Sequence, residues 1–345
     1  MNRKAVSMGD IAAEAGVSKN TVSLALRNSP QIPEKTRRRI VSIARRLKYR
    51  KSATVAHLMA ELRRAKSPGF QSSLGLLNAN TDRDAFRRHP TIPAYVRGCQ
   101  KRAVELGYTL DEFWLHEPDL DGERLNAILR ARGIRGLLVV GLMRENRLPE
   151  RFLPTWQEFP TVVTGVRTHE PALSFACTDH HMLALKAIEH ALALGYERPA
   201  LVIDPVIDRL VDGRFSAGVH AAQSVLPIKQ RIRSFADIQD DPATPERFLE
   251  WYRKYQPDAI LTLYNHVRIW LEGAGLRVPR DIGLIQLERR ASSPEWAGMD
   301  QHNDVVGEAA VEMLVGMIHH NERGVPAFPR ATLVGSTWVD GKTVR

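Results

Sequence analysis

From Met8 to Leu47 apolar residues recur every three or four positions, whereas from Ser73 onward they come in short runs separated by helix-length stretches. The first pattern predicts helices, the second buried strands of a parallel sheet with helices between them. In Gly9-Asp-Ile-Ala-Ala-Glu-Ala-Gly16-Val-Ser18-Lys-Asn-Thr-Val-Ser-Leu-Ala-Leu26, two short helices are pinched by Gly16. Gly16 supplies the backbone freedom of a tight turn, and Ser18 is placed to cap the second helix. Ile11, Ala12, Ala15, Val17, Val22 and Leu26 form a shared apolar face, which leaves Lys19, Asn20, Thr21 and Ser23 outward. Pro33 opens a third helix, in which Ile40, Ile43, Ala44 and Leu47 fall at helical spacing. The set reads as a helix-turn-helix closed by a third helix. Any small three-helix module shares part of that pattern.

The strand series runs through Ser73–Asn78, Tyr108–Trp114, Gly136–Val140, Pro160–Gly165, Pro199–Ile203, Ala259–Leu263 and Ile282–Leu287. Helical segments such as Tyr95–Leu106, Ala127–Arg132, Leu183–Leu194 and Pro245–Tyr255 lie between them. Alternation of this kind predicts an α/β body of parallel sheets covered on both faces, with ligands received at the carboxyl ends of the strands.

Charge sharpens the reading of the first segment. The chain of 345 residues carries a formal +10, yet residues 1–66 hold 16 basic and 4 acidic side chains, so that segment is +12 and the rest is −2. A basic module on a near-neutral body is the electrostatic footprint of a nucleic-acid binder. A membrane surface also attracts such charge, but no separate wide apolar face remains once the helix-turn-helix core is assigned. Cys99 and Cys177 are too few for a disulfide framework and read as small buried thiols, and there is no twenty-residue apolar run. A soluble cytoplasmic protein is expected. Asp179-His-His181, His266 and His319-His320 are raw material for acid/base or metal chemistry, but none has an established ligand spacing. No nucleophile-elbow or phosphate-loop motif accompanies them, so neither an enzyme, a cofactor nor a metal is expected.

The stretch Val6-Ser-Met-Gly-Asp-Ile-Ala-Ala-Glu-Ala-Gly-Val-Ser-Lys-Asn-Thr-Val-Ser resembles the signature of the lactose/galactose-repressor family of bacterial transcription regulators. The likeness continues through Ile32-Pro-Glu-Lys-Thr-Arg-Arg-Arg-Ile and Leu47-Lys-Tyr49-Arg. It implies a homodimer on a roughly palindromic operator, more often a repressor, with a two-lobed body like type I periplasmic binding proteins. Residues 1–49 would be the headpiece, 50–69 a hinge helix and linker, and 70–345 the effector-binding and dimerisation domain. Its lobes would comprise about 70–165 with 291–327, and about 166–290 with 328–345, crossing near Thr164–Thr168, Leu287–Ala291 and Val325–Ala331.

On the DNA side, their place at and around the start of the second helix points to Lys19 and Asn20 as readers of base edges and to Ser7, Ser18, Thr21 and Arg27 as holders of phosphates or the groove wall; the resemblance has Tyr49 leading into the hinge. Where relatives carry an arginine after Thr-Val-Ser, this chain has Leu24, which either meets a thymine methyl or turns into the core. Leu58, with Met59 beside it, stands where relatives insert a leucine between base pairs; an ordinary linker helix with both residues in a dimer seam is the alternative. Lys51 and Ser52 replace the family's usual Pro and Asn.

Effector positions carry over where local patterns register. His89, Thr91 and Ile92 occupy the place of an Asn-Pro-Phe-Phe segment, Asp179 the second lobe's entry, Arg214 that of an effector-binding arginine displaced by one residue, and Asn265 and Glu288 positions of ligand-contacting Asp. A blander role is open for each: Ile92 starting a helix, Asp179 capping the helix that His180 begins, Arg214 a solvated charge. Asn265 is a weaker, neutral acceptor than Asp, which argues against ordinary hexose recognition. The effector class implied is a sugar, a sugar derivative or another metabolite. The competing functional class is a DNA-architectural protein whose body only dimerises.

Overall fold

The computed structural model describes residues 7–47, 49, 72–238 and 241–345. The hinge segment, with Leu58 and Met59, lies outside the described residues. Helices α1 (Met8–Ala15), α2 (Lys19–Leu26) and α3 (Glu34–Arg46) form the headpiece. Ser7 and Asp10 close a reciprocal capping box at the start of α1, and Gly16 ends the helix at φ +62°. Ser18 Oγ then accepts the Thr21 amide at 3.0 Å, starting α2. Ile11, Ala12, Ala15, Val22, Ala25, Ile32, Ile40 and Ala44 are the buried core of this unit, with Val17 and Leu26 packed against it half-buried. Arg39 of α3 donates to Ala15 O at 2.8 Å, so the third helix satisfies a carbonyl that α1 leaves open.

The body holds two sheets. The first is wholly parallel, in the order β10-β5-β4-β3-β1-β2, built from β1 (Ser72–Asn78), β2 (Tyr108–Trp114), β3 (Leu137–Val140), β4 (Thr161–Thr164), β5 (Ser174–Thr178) and β10 (Ala331–Val334). The second runs β11-β9-β8-β7-β6, from β6 (Pro199–Val202), β7 (Ala259–Thr262), β8 (Gly283–Gln286), β9 (Ala297–Asp300) and the antiparallel edge β11 (Thr337–Val339). Most strands are buried along their whole length, which is why they read as unbroken apolar runs rather than alternation.

The lobe boundaries differ from those expected. The chain does not leave the first lobe after β4: Gly165, at φ +94°, turns it back, and β5 lies beside β4 in the same sheet. Phe175, Ala176 and Cys177 carry too little apolar pattern to announce a strand, although all are buried. The crossings fall instead at Thr178–Asp179, between β9 and the helix that opens at Asn303, and between β10 and β11. Thus β9 belongs to the second lobe and β10 to the first, against the expected 291–327 and 328–345 assignments. The three crossings run side by side, since Asp179 N donates to Val334 O at 2.9 Å and Thr178 Oγ1 to Gln301 O at 3.2 Å.

Helices α4 (Ala85–Arg88), α5 (Ile92–Glu105), α6 (Gly122–Ala131) and α7 (Leu153–Glu158) belong to the first lobe, α8 (His180–Ala193), α9 (Pro205–Leu210), α10 (Arg214–Gln223), α11 (Thr244–Tyr255) and α12 (His266–Gly273) to the second. Helix α13 (Asn303–His319) returns to the first lobe and packs on α5. That packing rests on two glycines. A Cβ built at Gly98 would lie 1.8 Å from Asp304 O, and one at Gly307 2.2 Å from Tyr95 O, so backbone meets backbone. We expect Gly307→Ala to destabilise the chain by about 1–3 kcal/mol, read as a lower urea midpoint, because the helices must separate. Gly316→Ala, on the same helix with open space around it, should gain up to about 1 kcal/mol. Equal effects of the two substitutions would contradict the close crossing.

Candidate nucleic-acid interface and interlobe cleft

At the start of α2, Lys19 and Asn20 are exposed, while Thr21 and Ser23 are half-buried beside them. Ser18 Oγ also lies 2.9 Å from Thr21 Oγ1, and Ser7 Oγ donates to Asp10 Oδ2 at 2.8 Å. Both serines are therefore held in caps, and each marks a helix amino end whose free N–H groups and positive dipole end attract an anion. Arg27, exposed at the far end of α2, donates to Ser23 Oγ. Leu24 is half-buried and packs against the headpiece core, in keeping with the inward of its two readings. Tyr49 also packs on that core, its amide donating to Ala44 O at 2.9 Å.

In the body, a carboxylate brings several separated residues together. Glu288 follows β8 in the second lobe, and its side chain is 11% exposed. Its Oε2 accepts from Thr91 Oγ1 at 3.1 Å and from Arg290, while Oε1 accepts from Asn303 Nδ2 at 3.0 Å. Thr91 and Asn303 stand at the amino ends of α5 and α13, both in the first lobe. Arg290 Nη2 reaches Thr91 Oγ1 as well, at 3.2 Å. A carboxylate this buried is costly unless paired and fully hydrogen-bonded, and here it is both. His89 is turned to a structural task beside it: Nδ1 accepts the amides of Thr91 (3.1 Å) and Ile92 (3.3 Å), capping α5. Burial lowers the His89 pKa against the opposing pull of Glu288. Ile92 is a correction: it is fully buried in the first lobe's core, where the amphipathic face of α5 requires an apolar side chain, and does not face the cleft.

Across the cleft, Arg214 enters from the start of α10 in the second lobe and places Nη1 3.3 Å from Cys177 Sγ on β5 of the first. It is no solvated charge: its side chain is 17% exposed. Asp179 caps α8, accepting the Met182 amide at 3.1 Å, which is the blander of its two readings. Asn265 is exposed and accepts from Gln286 Nε2 at the end of β8. Cys99 and Cys177 are free and buried, and burial pushes both thiols up, Cys99 to about 12.

Sequence reading missed Arg290, Asn303, Arg167, Asp212 and Tyr95. Arg290 and Asp212 each lie two residues from an expected residue, Glu288 and Arg214, and Tyr95 three from Ile92; Asn303 and Arg167 come from sequence positions far from the expected ones. Thr164 Oγ1, Arg214 Nη2, Tyr264 Oη, Gln286 Oε1, Arg290 Nε and Asn303 Oδ1 are buried without a hydrogen-bond partner. Most sit at or just beyond the carboxyl ends of strands, where a polar ligand or water would satisfy them. Among the described residues no group of three or more His, Cys, Asp or Glu is disposed to hold a metal ion, and no helix is long and apolar enough to cross a membrane.

Residues 7–52 match the family described as bacterial regulatory proteins, lacI family, and residues 188–344 match the periplasmic binding protein-like domain. The chain is 25% identical over 200 residues to the HTH-type transcriptional regulator MalR of Streptococcus pneumoniae serotype 4 (strain ATCC BAA-334 / TIGR4), a match covering 57% of this chain and 56% of MalR, just over half its length. It is 25% identical over 329 residues to the ribose operon repressor of Escherichia coli (strain K12), covering 90% of this chain and 93% of that one. Its fold is shared with the transcriptional regulator CelR in complex with cellobiose (TM-score 0.60, 19% identity, 98% and 99% of the two chains). It is shared too with the lac repressor dimer bound to operator and the anti-inducer ONPF (TM-score 0.56, 20% identity, 99% of each chain).

The cleft wall has a consequence for pH. His180, buried at the start of α8 against Phe215, has its pKa lowered to about 3 by burial and then by the Arg214 charge. Between pH 6.5 and about 3 the unfolded chain binds a proton here that the native chain refuses. Stability therefore rises with pH through that window and is fully present above it, with a slope of up to about 1.4 kcal/mol per pH unit. His180→Leu should flatten the urea-derived stability profile between pH 4 and 6 relative to the parent; parallel profiles would refute the assignment.

Proposed function

We propose that the chain, whose residues 7–52 match the lacI family of bacterial regulatory proteins, is a sequence-specific transcriptional repressor which binds a palindromic operator as a dimer and answers to a small molecule in the interlobe cleft. The observation that carries the first half is the start of α2, where Lys19 and Asn20 stand exposed on a helix whose other face is locked into the headpiece core. Two adjacent hydrogen-bonding side chains at a helix amino end are what major-groove reading requires. Ser7, Ser18, Thr21 and Arg27 flank them as backbone contacts, Leu24 supports the helix from inside, and Tyr49 leads to a hinge in which Leu58, or Met59, wedges the minor groove. The second half is supported by the interlobe cluster of Thr91, Glu288, Arg290 and Asn303 and by the buried polar atoms around it that lack partners. His89, Asp179, Arg214 and Asn265 complete the cleft wall. An effector exchanging with the Glu288 bonds would change the lobes' relation to each other, and through it the spacing of the two headpieces. In this reading the protein is cytoplasmic and performs no catalysis. An architectural role gains nothing from a cleft of unsatisfied polar groups.

Two substitutions separate base reading from phosphate binding. Asn20→Ala should cost about 1–3 kcal/mol at one operator base pair and little elsewhere. Arg27→Ala should weaken every sequence alike and lower the salt slope by about one unit. Binding measured across single-base operator variants at several salt concentrations checks both, and a uniform loss for Asn20→Ala would remove its reading role.

A further inference from the structure

The donors left unmet in the cleft say what kind of effector would fill it. Arg214 spends Nε on Val211 O (2.8 Å) and Nη1 on the thiol of Cys177, a weak acceptor, and its Nη2 is buried without a hydrogen bond. Arg167, half-exposed on the loop after β4, lies on the same ring as Arg214: the two guanidinium carbons are 5.2 and 5.9 Å from the centroid of Phe175. The carboxylate near both is Asp212, but it stands 3.6 Å from Arg167 Nε and 3.7 Å from Arg214 Nη2, beyond hydrogen-bonding range. Its other oxygen is 2.9 Å from His169 Nε2. Asp179, the next acid along, caps α8. Two guanidinium groups from the two lobes therefore share one carboxylate at ion-pair distance without a hydrogen bond to it, which leaves one positive charge over and an unused donor on the buried Arg214 Nη2.

We propose that the effector carries an oxyanion, a carboxylate or a phosphate ester, on a hydroxyl-bearing frame, with Arg214 and Arg167 holding the anionic end. This rests on the cleft being the effector site. A planar two-oxygen acceptor satisfies the Arg214 fork in a way that neither a thiol nor a single hydroxyl can. The hydroxyl frame lies toward Glu288, where Asn303 Oδ1 and Gln286 Oε1 offer buried acceptors that hydroxyl groups satisfy. The two ends belong to one cleft. Tyr95 spans them: it stands one turn after Thr91 on α5, and its hydroxyl lies 3.3 Å from where a Cβ on Gly165, two residues before Arg167, would stand.

The test is thermal unfolding and operator binding of the full chain, at matched ionic strength, with D-gluconate, D-glucuronate and D-glucose 6-phosphate set against D-glucose and D-sorbitol. At least one anion should raise the unfolding midpoint by several degrees and change operator affinity, while its neutral counterpart does neither; the acids and the phosphate ester tell the two oxyanions apart. Arg214→Lys keeps the charge but loses the fork and should weaken the active anion by at least about tenfold. Arg167→Ala, at a half-exposed position that does not threaten folding, should act in the same direction. Ligand-free operator binding like that of the parent shows that both variants fold. A neutral sugar matching its acid overturns the anion inference and leaves the cleft as effector site. If no member of either set changes stability or operator binding, both readings fall. Unchanged anion affinity in both variants overturns the placement on this arginine pair.

Discussion

The carboxylate of Glu288 takes hydrogen bonds from both lobes of the body, and the relation between those lobes depends on it. It belongs to the second lobe, yet Thr91 and Asn303, at the amino ends of two helices of the first, donate to its two oxygens. Bonds to a charged acceptor are each worth about 1.5–3 kcal/mol, and their removal leaves an uncompensated buried charge. Arg290 limits that cost by pairing with the same oxygen as Thr91. The joint is therefore strong when complete and sensitive to anything that competes for one of its donors.

The chain's route makes this joint possible. All three crossings between lobes lie at or beyond strand ends and are bonded to one another, so the lobes share a narrow hinge while their open strand ends face a common cleft. On the first-lobe side the glycine crossing of α5 with α13 fixes where Thr91 and Asn303 stand relative to each other. A bulkier residue there would move one amino end away from Glu288 without touching the cleft. The headpiece uses the same economy on a smaller scale: Gly16, two serine caps and an arginine to a carbonyl set the angle at which Lys19 and Asn20 are presented.

Leu24 shows how a departure from family pattern is absorbed. An arginine at this position would add a donor to the reading surface; the leucine instead extends the apolar face that Val22 and Ala25 already present to α1 and α3. The exposed hydrogen-bonding side chains Lys19 and Asn20 thereby stand in the first turn of α2, where the helix end is positive.

By itself the sequence determined the three headpiece helices, their core, the exposed pair Lys19 and Asn20, and most of the strands, because each is set by local rules: periodicity, a cap within three residues, a glycine at a tight turn. It also brought Thr91, Glu288 and Arg214 under suspicion through resemblance. It misplaced the lobe boundaries because β5, β9 and β10 are short and only pairing assigns each to a sheet: β5 and β9 to the strand just before them, β10 to β5 far back in the chain. It took Ile92 for a cleft residue because the direction of a side chain at a helix start depends on how the helix seats on its sheet. Asn303 and Arg167 escaped it entirely. Their roles exist only where Glu288, 15 residues from Asn303, and Arg214, across the lobe seam, meet them in space. Partners of that kind are chosen by tertiary packing, and no local propensity records them.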